Sequence, residues 1–486
     1  MSDTINLEEY SNKLNTDYVG FGLYKGRKVK PVHIANGVSR VLCGKVLNNK
    51  GIKKIALVVS KKGIPGYSSK EIYEELIDED RIEDDVKLED FDATRRVIQK
   101  MLDADSGVYI DRSKSDHMLS FSLSSKYFVT NQALYEDAGE FIGQVVKSAC
   151  PELTDYIVSL MDQAEDPISQ LFIPVTNDEV VNDIVDEDLF ALLFPVSKRN
   201  QKTIDYINSL ADSGKCLLHN LQKEPNVFTQ LRLFNLFCVF SLFRYIAYLE
   251  AFSCDAKIPP ILLDFTGTTG SISDASSGTY ANIRRCLSRF CSWVYAKILE
   301  DNYSIAEVKH MDPPIRKTGS VAKETQDAIS SMWKMAQEES ADIDDSQVYS
   351  IFGRTINNIL AREQDFHPGN YLRAVGLLPG LLYPPNSSNN RFVISQDILE
   401  MLLMSTVEPG ETVSGKTIRE RLWSCCGVVI GGTSFEEGVF RESDLNLQAD
   451  SDALEHNFEQ FASTMESLGF ADVMADGILQ IHLGGV

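Results

Sequence analysis

Acidic residues are missing altogether between Asp17 and Glu71, although the chain as a whole carries 70 Asp and Glu against 47 Lys and Arg. That absence rules out an evenly mixed surface along this stretch. Its Lys25, Arg27, Lys28, Lys30, Arg40, Lys45, Lys50, Lys53, Lys54, Lys61, Lys62 and Lys70 repel one another unless they meet an anion. The formal net charge is −23, so taking away the +12 of this stretch leaves −35 on the remainder. Two anions are available: nucleic acid, and the acidic remainder of the protein itself.

Other absences narrow the function class. Nine cysteines, an odd number, contain no CxxC and no Cys/His cluster, which excludes zinc-finger spacing and fits reduced thiols in a cytoplasm. The opening "MSDTINLEEYSNKLN" has neither a basic n-region nor an apolar core, so no secretory signal is expected. HExxH, GxSxG, a Walker A loop and a GxGxxG opening a helix are all missing. A scaffold or adaptor therefore outranks an enzyme, and no metal or other cofactor is expected. A nuclease with an unrecognised active site stays open as an alternative, because the D…(D/E)xK pattern is too short to be specific. Long apolar runs are scarce too. The longest, "FTQLRLFNLFCVFSLFRYIAYLEAF", is interrupted by Arg232, Asn235, Arg244 and Glu250 and reads as a buried helix rather than a membrane span.

What is present organises the ends. In the basic stretch, "VKPVHIA", "SRVLCGKVL" and "KKIALVV" are rich in Val, Ile and Leu between turn residues, and predict strands. "YSSKEIYEELI", with Ser68 or Ser69 as N-cap, predicts a helix. So does "DFDATRRVIQKML", with Ala93, Val97, Ile98, Met101 and Leu102 on one face and Arg95, Arg96 and Lys100 largely on the other. The alternating "SGVYIDRSKSDHMLSFSL" then predicts a ribbon with Arg112 and Lys114 at its tip. Helix, helix, ribbon is the order of a winged helix. Its candidate DNA contacts are Arg95, Arg96, Lys100, Arg112 and Lys114, with Lys53, Lys54, Lys61 and Lys62 beside them. Asp111 and Asp116 flank the tip and oppose phosphates, and a plain helix-hairpin packing unit is the other reading.

The middle is predicted helical but for "PPILLDFTGTTGSISDASSGTY", read as a short buried strand from Ile261 to Phe265, a Gly/Ser/Thr loop, and a helix bearing Arg284, Arg285 and Arg289. No Lys follows Gly270, so this is no Walker loop. Arg285 and Arg289, at i,i+4, are the candidate anion-binding pair. Residues 311–345 are mostly polar and predict a connector or a long exposed helix. "DFHPGN" reads as a turn rather than a catalytic Asp365–His367 pair. At the end, "ISQDILEMLLMSTV", "SGKTIRERLWSCCG" and "LEHNFEQFASTMESLGF" predict three helices, and "ADVMADGILQIHL" a hairpin turning at Asp476–Gly477. This second winged-helix candidate carries Glu455, Glu459 and Glu466 on its third helix and no Lys or Arg there, which suits a protein partner rather than phosphates.

The expected fold class is mainly α with α+β ends, a helical central domain flanked by two winged-helix-like domains. The expected units are residues 1–130, 131–310, 311–385 and 386–486. "LRLFNLFCVFSLFRYIAYLE", "PPILLDF", "LAREQDFHPGNYLRAVGLLPGLLYPP" and "VEPGETVSGKTIRERLW", within about residues 225–430, resemble a subunit family of bacterial anti-phage defence operons encoded beside DNA-translocating ATPases. The resemblance implies a cytoplasmic subunit that works with ATPase or nuclease partners on invading DNA, and it transfers no catalytic residue. The expected function is a non-catalytic DNA-associated assembly or adaptor subunit, with a kleisin-like bridge of an SMC-type complex as the alternative.

Overall fold

A computed structural model of the 486-residue chain describes residues 6–23, 29–48, 50–51, 70, 73–74, 77, 87–94, 96, 109–110, 121–122, 126, 129, 136–163, 169–170, 173, 177–183, 187–314, 323–362, 368–385, 387, 389–432, 434–442, 449, 451–474 and 478–483. The fold is mostly helical with a few short strands.

The first helix, α1 (Leu7–Leu14), is opened by a capping box in which Asn6 Oδ1 accepts from Glu9 N and the Glu9 carboxylate accepts from Asn6 N. The next element corrects the strand expectation. "VKPVHIA" and the start of "SRVLCGKVL" form one helix, α2 (Pro31–Cys43), and only β1 (Lys45–Leu47) is a strand. "KKIALVV" lies outside the described residues. The strand reading failed for two physical reasons. Almost every side chain of α2 is buried, so no polar face marks the helical period. Gly37, taken as a break, is instead a point of close approach: a Cβ there would lie 2.3 Å from the Glu136 carbonyl oxygen, and one at Gly139 2.3 Å from that of Ile34. Pro31 at the first turn and Gly44 at φ +59° bound the helix.

The partner across that contact is α3 (Asp137–Ala149), followed by α4 (Pro151–Gln163). β2 (Tyr109–Ile110) and β3 (Phe121–Ser122) pair antiparallel where the ribbon is expected, and they lie against α2; the tip with Arg112 and Lys114 lies outside the described residues. β4 (Val180–Asn182) pairs antiparallel with β1. α5 (Leu189–Leu193) and α6 (Gln201–Leu221) lead to α7 (Val227–Cys254), the expected buried helix. Its apolar window is 94% buried within the protein, because α2, α3, α6 and later helices surround it.

β5 (Ile261–Leu262) and α8 (Ser271–Asn302) reproduce the expected strand, loop and helix, and α9 (Ile305–His310) follows. α10 (Lys323–Ala341) corrects the exposed-helix reading of 311–345. Ile329, Trp333 and Ala336 are buried against α11 (Asp345–Arg362), and Trp333 Nε1 donates to the Met311 carbonyl at 3.0 Å. A three-residue apolar stripe in a polar helix suffices once a neighbour covers it. α12 (Pro368–Leu377) and α13 (Gln396–Met404) close on α7.

The last hundred residues hold the expected helices and hairpin. β6 (Thr412–Ser414) and α14 (Gly415–Cys426) precede β7 (Val428–Val429), α15 (Ser434–Glu442) and α16 (Ser451–Ser467). β8 (Ala471–Val473) and β9 (Leu479–His482) form the hairpin, and the sheet order is β6-β9-β8, antiparallel throughout. β7 pairs in parallel with β5, tying this part to the helical middle. Side chains from all four expected units meet in one buried apolar cluster running from Leu7 to Ile481.

Candidate functional site

Of the sequence-derived DNA contacts, Lys53, Lys54, Lys61, Lys62, Arg95, Lys100, Arg112 and Lys114 lie outside the described residues. Arg96 is described. It is exposed, and its guanidinium turns back one helical turn to Asp92, with Nε 3.2 Å from the carbonyl and Nη2 3.5 Å from Oδ2. Other cations of the basic stretch meet the protein's own acids. Arg40 is nearly buried between Glu136, Glu140 and Asp183, at 3.6 Å from the first and 3.0 Å from the last. Lys50 reaches Glu179 at 3.2 Å, and Lys45 reaches the Asn182 side chain. Burial pushes the Glu140 carboxyl up, while the Arg40 guanidinium holds it down.

Arg285 and Arg289 share a helix but not an environment. Arg289 is held bidentately by Glu250 on α7, at 2.6 and 2.7 Å, and that hydrogen bonding raises its own pKa. Arg285 is exposed and lines a cleft of about 330 Å³ with Arg284, Ser288, Asn357, Asn358 and Gly369. Arg284, which i,i+4 spacing does not single out, is the second cation there. The side chain that could have revealed it is Glu250, whose claim on Arg289 depends on how α7 and α8 pack. Asp365 and His367 lie outside the described residues, and among the described residues no three His, Cys, Asp or Glu side chains converge as metal ligands.

The largest of these surface features lies at the C-terminal end, where α14, α16 and the hairpin enclose a groove of about 570 Å³. Asn457, fully buried, fixes α16: its Nδ2 donates to the Leu263 carbonyl at 2.8 Å and to that of Ile430, and its Oδ1 accepts from Phe265 N at 2.8 Å. Arg419 forms part of the wall, with its guanidinium 4.6 Å from the Phe458 ring centre, 3.5 Å from Glu436, and bonded to the Gly415 carbonyl at 3.2 Å. The mouth carries exposed Glu455, Glu459 and Glu466 on α16, with Lys416 opposite. Its rim is apolar and open: Val473 is 43% exposed and Ile478 51%, with Met474 beside them. Acidic charge above an apolar rim is complementary to a basic amphipathic peptide segment and repels phosphate.

Comparison with protein-family models, with curated proteins and with solved structures yields no match.

Proposed function

We propose that this protein is a non-catalytic assembly subunit of a multiprotein anti-phage defence complex, acting in the cytoplasm. In this reading it docks an ATPase or nuclease subunit through its C-terminal groove and associates with DNA without reading sequence. The last hundred residues serve as a winged-helix-like unit: the order α13, β6, α14, α16, β8, β9 and the sheet order β6-β9-β8 support that assignment. The observation that carries the docking role is the groove itself, with three glutamates on the helix that would face DNA in a winged helix and an exposed Val473–Met474–Ile478 edge beside it. DNA association is assigned to the basic N-terminal part and to Arg284 and Arg285, cations that can position a phosphate backbone.

The test uses the full chain. Glu455→Lys with Glu459→Lys and Ile478→Asp changes only exposed side chains, so circular dichroism and melting temperature should match the parent. Co-purification of the motor or nuclease encoded in the same operon should be lost in this variant, and protection against phage plating with it. A partner retained at parental yield overturns the docking role. Arg284→Ala with Arg285→Ala should lower the magnitude of the log-log salt slope of duplex binding by up to about two units, at about one per lost phosphate contact. Absence of salt-sensitive binding by the parent chain to unrelated duplexes overturns the DNA assignment.

A further inference from the structure

A cavity of about 190 Å³ opens between α6, α7 and the C-terminal end of α14, whose N-terminal part lines the groove. At its wall sits Arg244, in the middle of the apolar helix α7 and only 4% exposed. The guanidinium lies between two rings, 5.4 Å from the centre of Tyr206 and 5.6 Å from that of Tyr248. Nη2 donates to Ser209 Oγ at 3.0 Å, the Tyr248 hydroxyl is the guanidinium's other hydrogen-bonding neighbour, and Nε is buried with no acceptor. Among the described residues no carboxylate oxygen lies within salt-bridge distance of Arg244. A buried guanidinium without a counter-charge is strongly disfavoured and favours an anion beside it. The neighbouring groups do not supply one: burial pushes the Cys426 thiol up to about 12 and raises Tyr206 well above neutrality, so both are uncharged. At the mouth, the Lys202 ammonium is held by Asp255, and Asp205 accepts from Gln201 at 2.8 Å.

We propose that this cavity binds a small monocarboxylate with an apolar body, its carboxylate on Arg244 and the Tyr248 hydroxyl and its body against Tyr206 and Trp423. The charge count selects a monoanion. One uncompensated cation lies inside, and Asp205 at the rim disfavours a dianion such as phosphate. The same count disfavours a nucleotide, since a phosphomonoester is largely a dianion at neutral pH. The planar fork of the guanidinium matches a carboxylate edge, and the aromatic walls match a hydrocarbon body. The assignment is independent of the docking reading, because neither α16 nor the hairpin contributes to the cavity.

Benzoate is the probe, titrated by calorimetry into the full chain, with inorganic phosphate and AMP in parallel. Saturable one-to-one binding of benzoate and a rise in melting temperature are expected, with neither phosphate nor AMP binding. Arg244→Met should weaken benzoate by about tenfold to a hundredfold, the scale of a hydrogen bond to a charged group. Should that variant fail to fold, Ser424→Trp serves instead, because Ser424 is exposed at the mouth and a bulky ring there closes the cavity without touching the core. Binding that survives Ser424→Trp, or no benzoate binding by the parent, overturns the site. Phosphate or AMP binding in place of benzoate overturns the carboxylate assignment.

Discussion

Arg40→Ala removes the cation at the centre of the most deeply buried charge cluster around α2. In the parent, its guanidinium is 7% exposed and faces Glu136 at 3.6 Å, Asp183 at 3.0 Å, and Glu140; the Glu136 side chain is fully buried. The three carboxylates come from α3, its N-cap and the residue after β4, so one side chain ties α2 to both. Removing one member of a buried charge group typically costs about 3–5 kcal/mol, against a usual total stability of about 5–15 kcal/mol. Here the upper part of the range applies, because three carboxylates lose one shared cation. Urea unfolding followed by tryptophan fluorescence measures it as a fall in midpoint at unchanged slope. The sign with pH follows from Glu140. Burial raises its folded pKa above the unfolded value, so its contribution is fully present below the unfolded pKa and is lost as pH rises through the folded one. Without Arg40, which holds that pKa down, the folded value rises further. The penalty should therefore be greatest near pH 7 and shrink as pH falls toward the ordinary glutamate range. Lys45→Ala, which removes only a surface contact to Asn182, is the control and should stay within about 0.5 kcal/mol. An Arg40→Ala midpoint equal to that of the control, or a penalty that grows on acidification, would refute the reasoning.

Phe237→Ala should cost about 3–5 kcal/mol, because the ring is buried in α7 with helices packed around it, and an unchanged melting temperature would mean that α7 is not a core helix. Arg289→Ala should leave the salt slope of duplex binding unchanged, since Glu250 already holds that guanidinium, while Arg285→Ala alone should flatten it by about one unit. Equal slopes for those two variants would show that the cleft makes no phosphate contact.

Where a helix kept one wet face, its period was legible along the chain. α16 alternates Leu454, Phe461 and Met465 inward with Glu455, Glu459 and Glu466 outward, and strand β9 after it alternates in twos. The interrupted apolar run was legible as a core helix for a similar reason: Arg244 and Glu250 are charges that a lipid-facing helix would not carry, and both are buried against protein groups. α2 was not legible, because a helix buried on all sides has no polar face to report its period, and because Gly37 reads as a turn in sequence yet marks a backbone contact in space. Nor could spacing alone separate Arg285 from Arg289, or show that Arg40 faces three acids far along the chain, since each depends on which helix lies alongside. The sequence by itself determined composition, charge asymmetry and the amphipathic elements, all of which are local in the chain. Only the tertiary structure decided which charges cancel one another and which stay open to a partner, because Coulomb energy depends on distance and burial in three dimensions, not on separation along the chain.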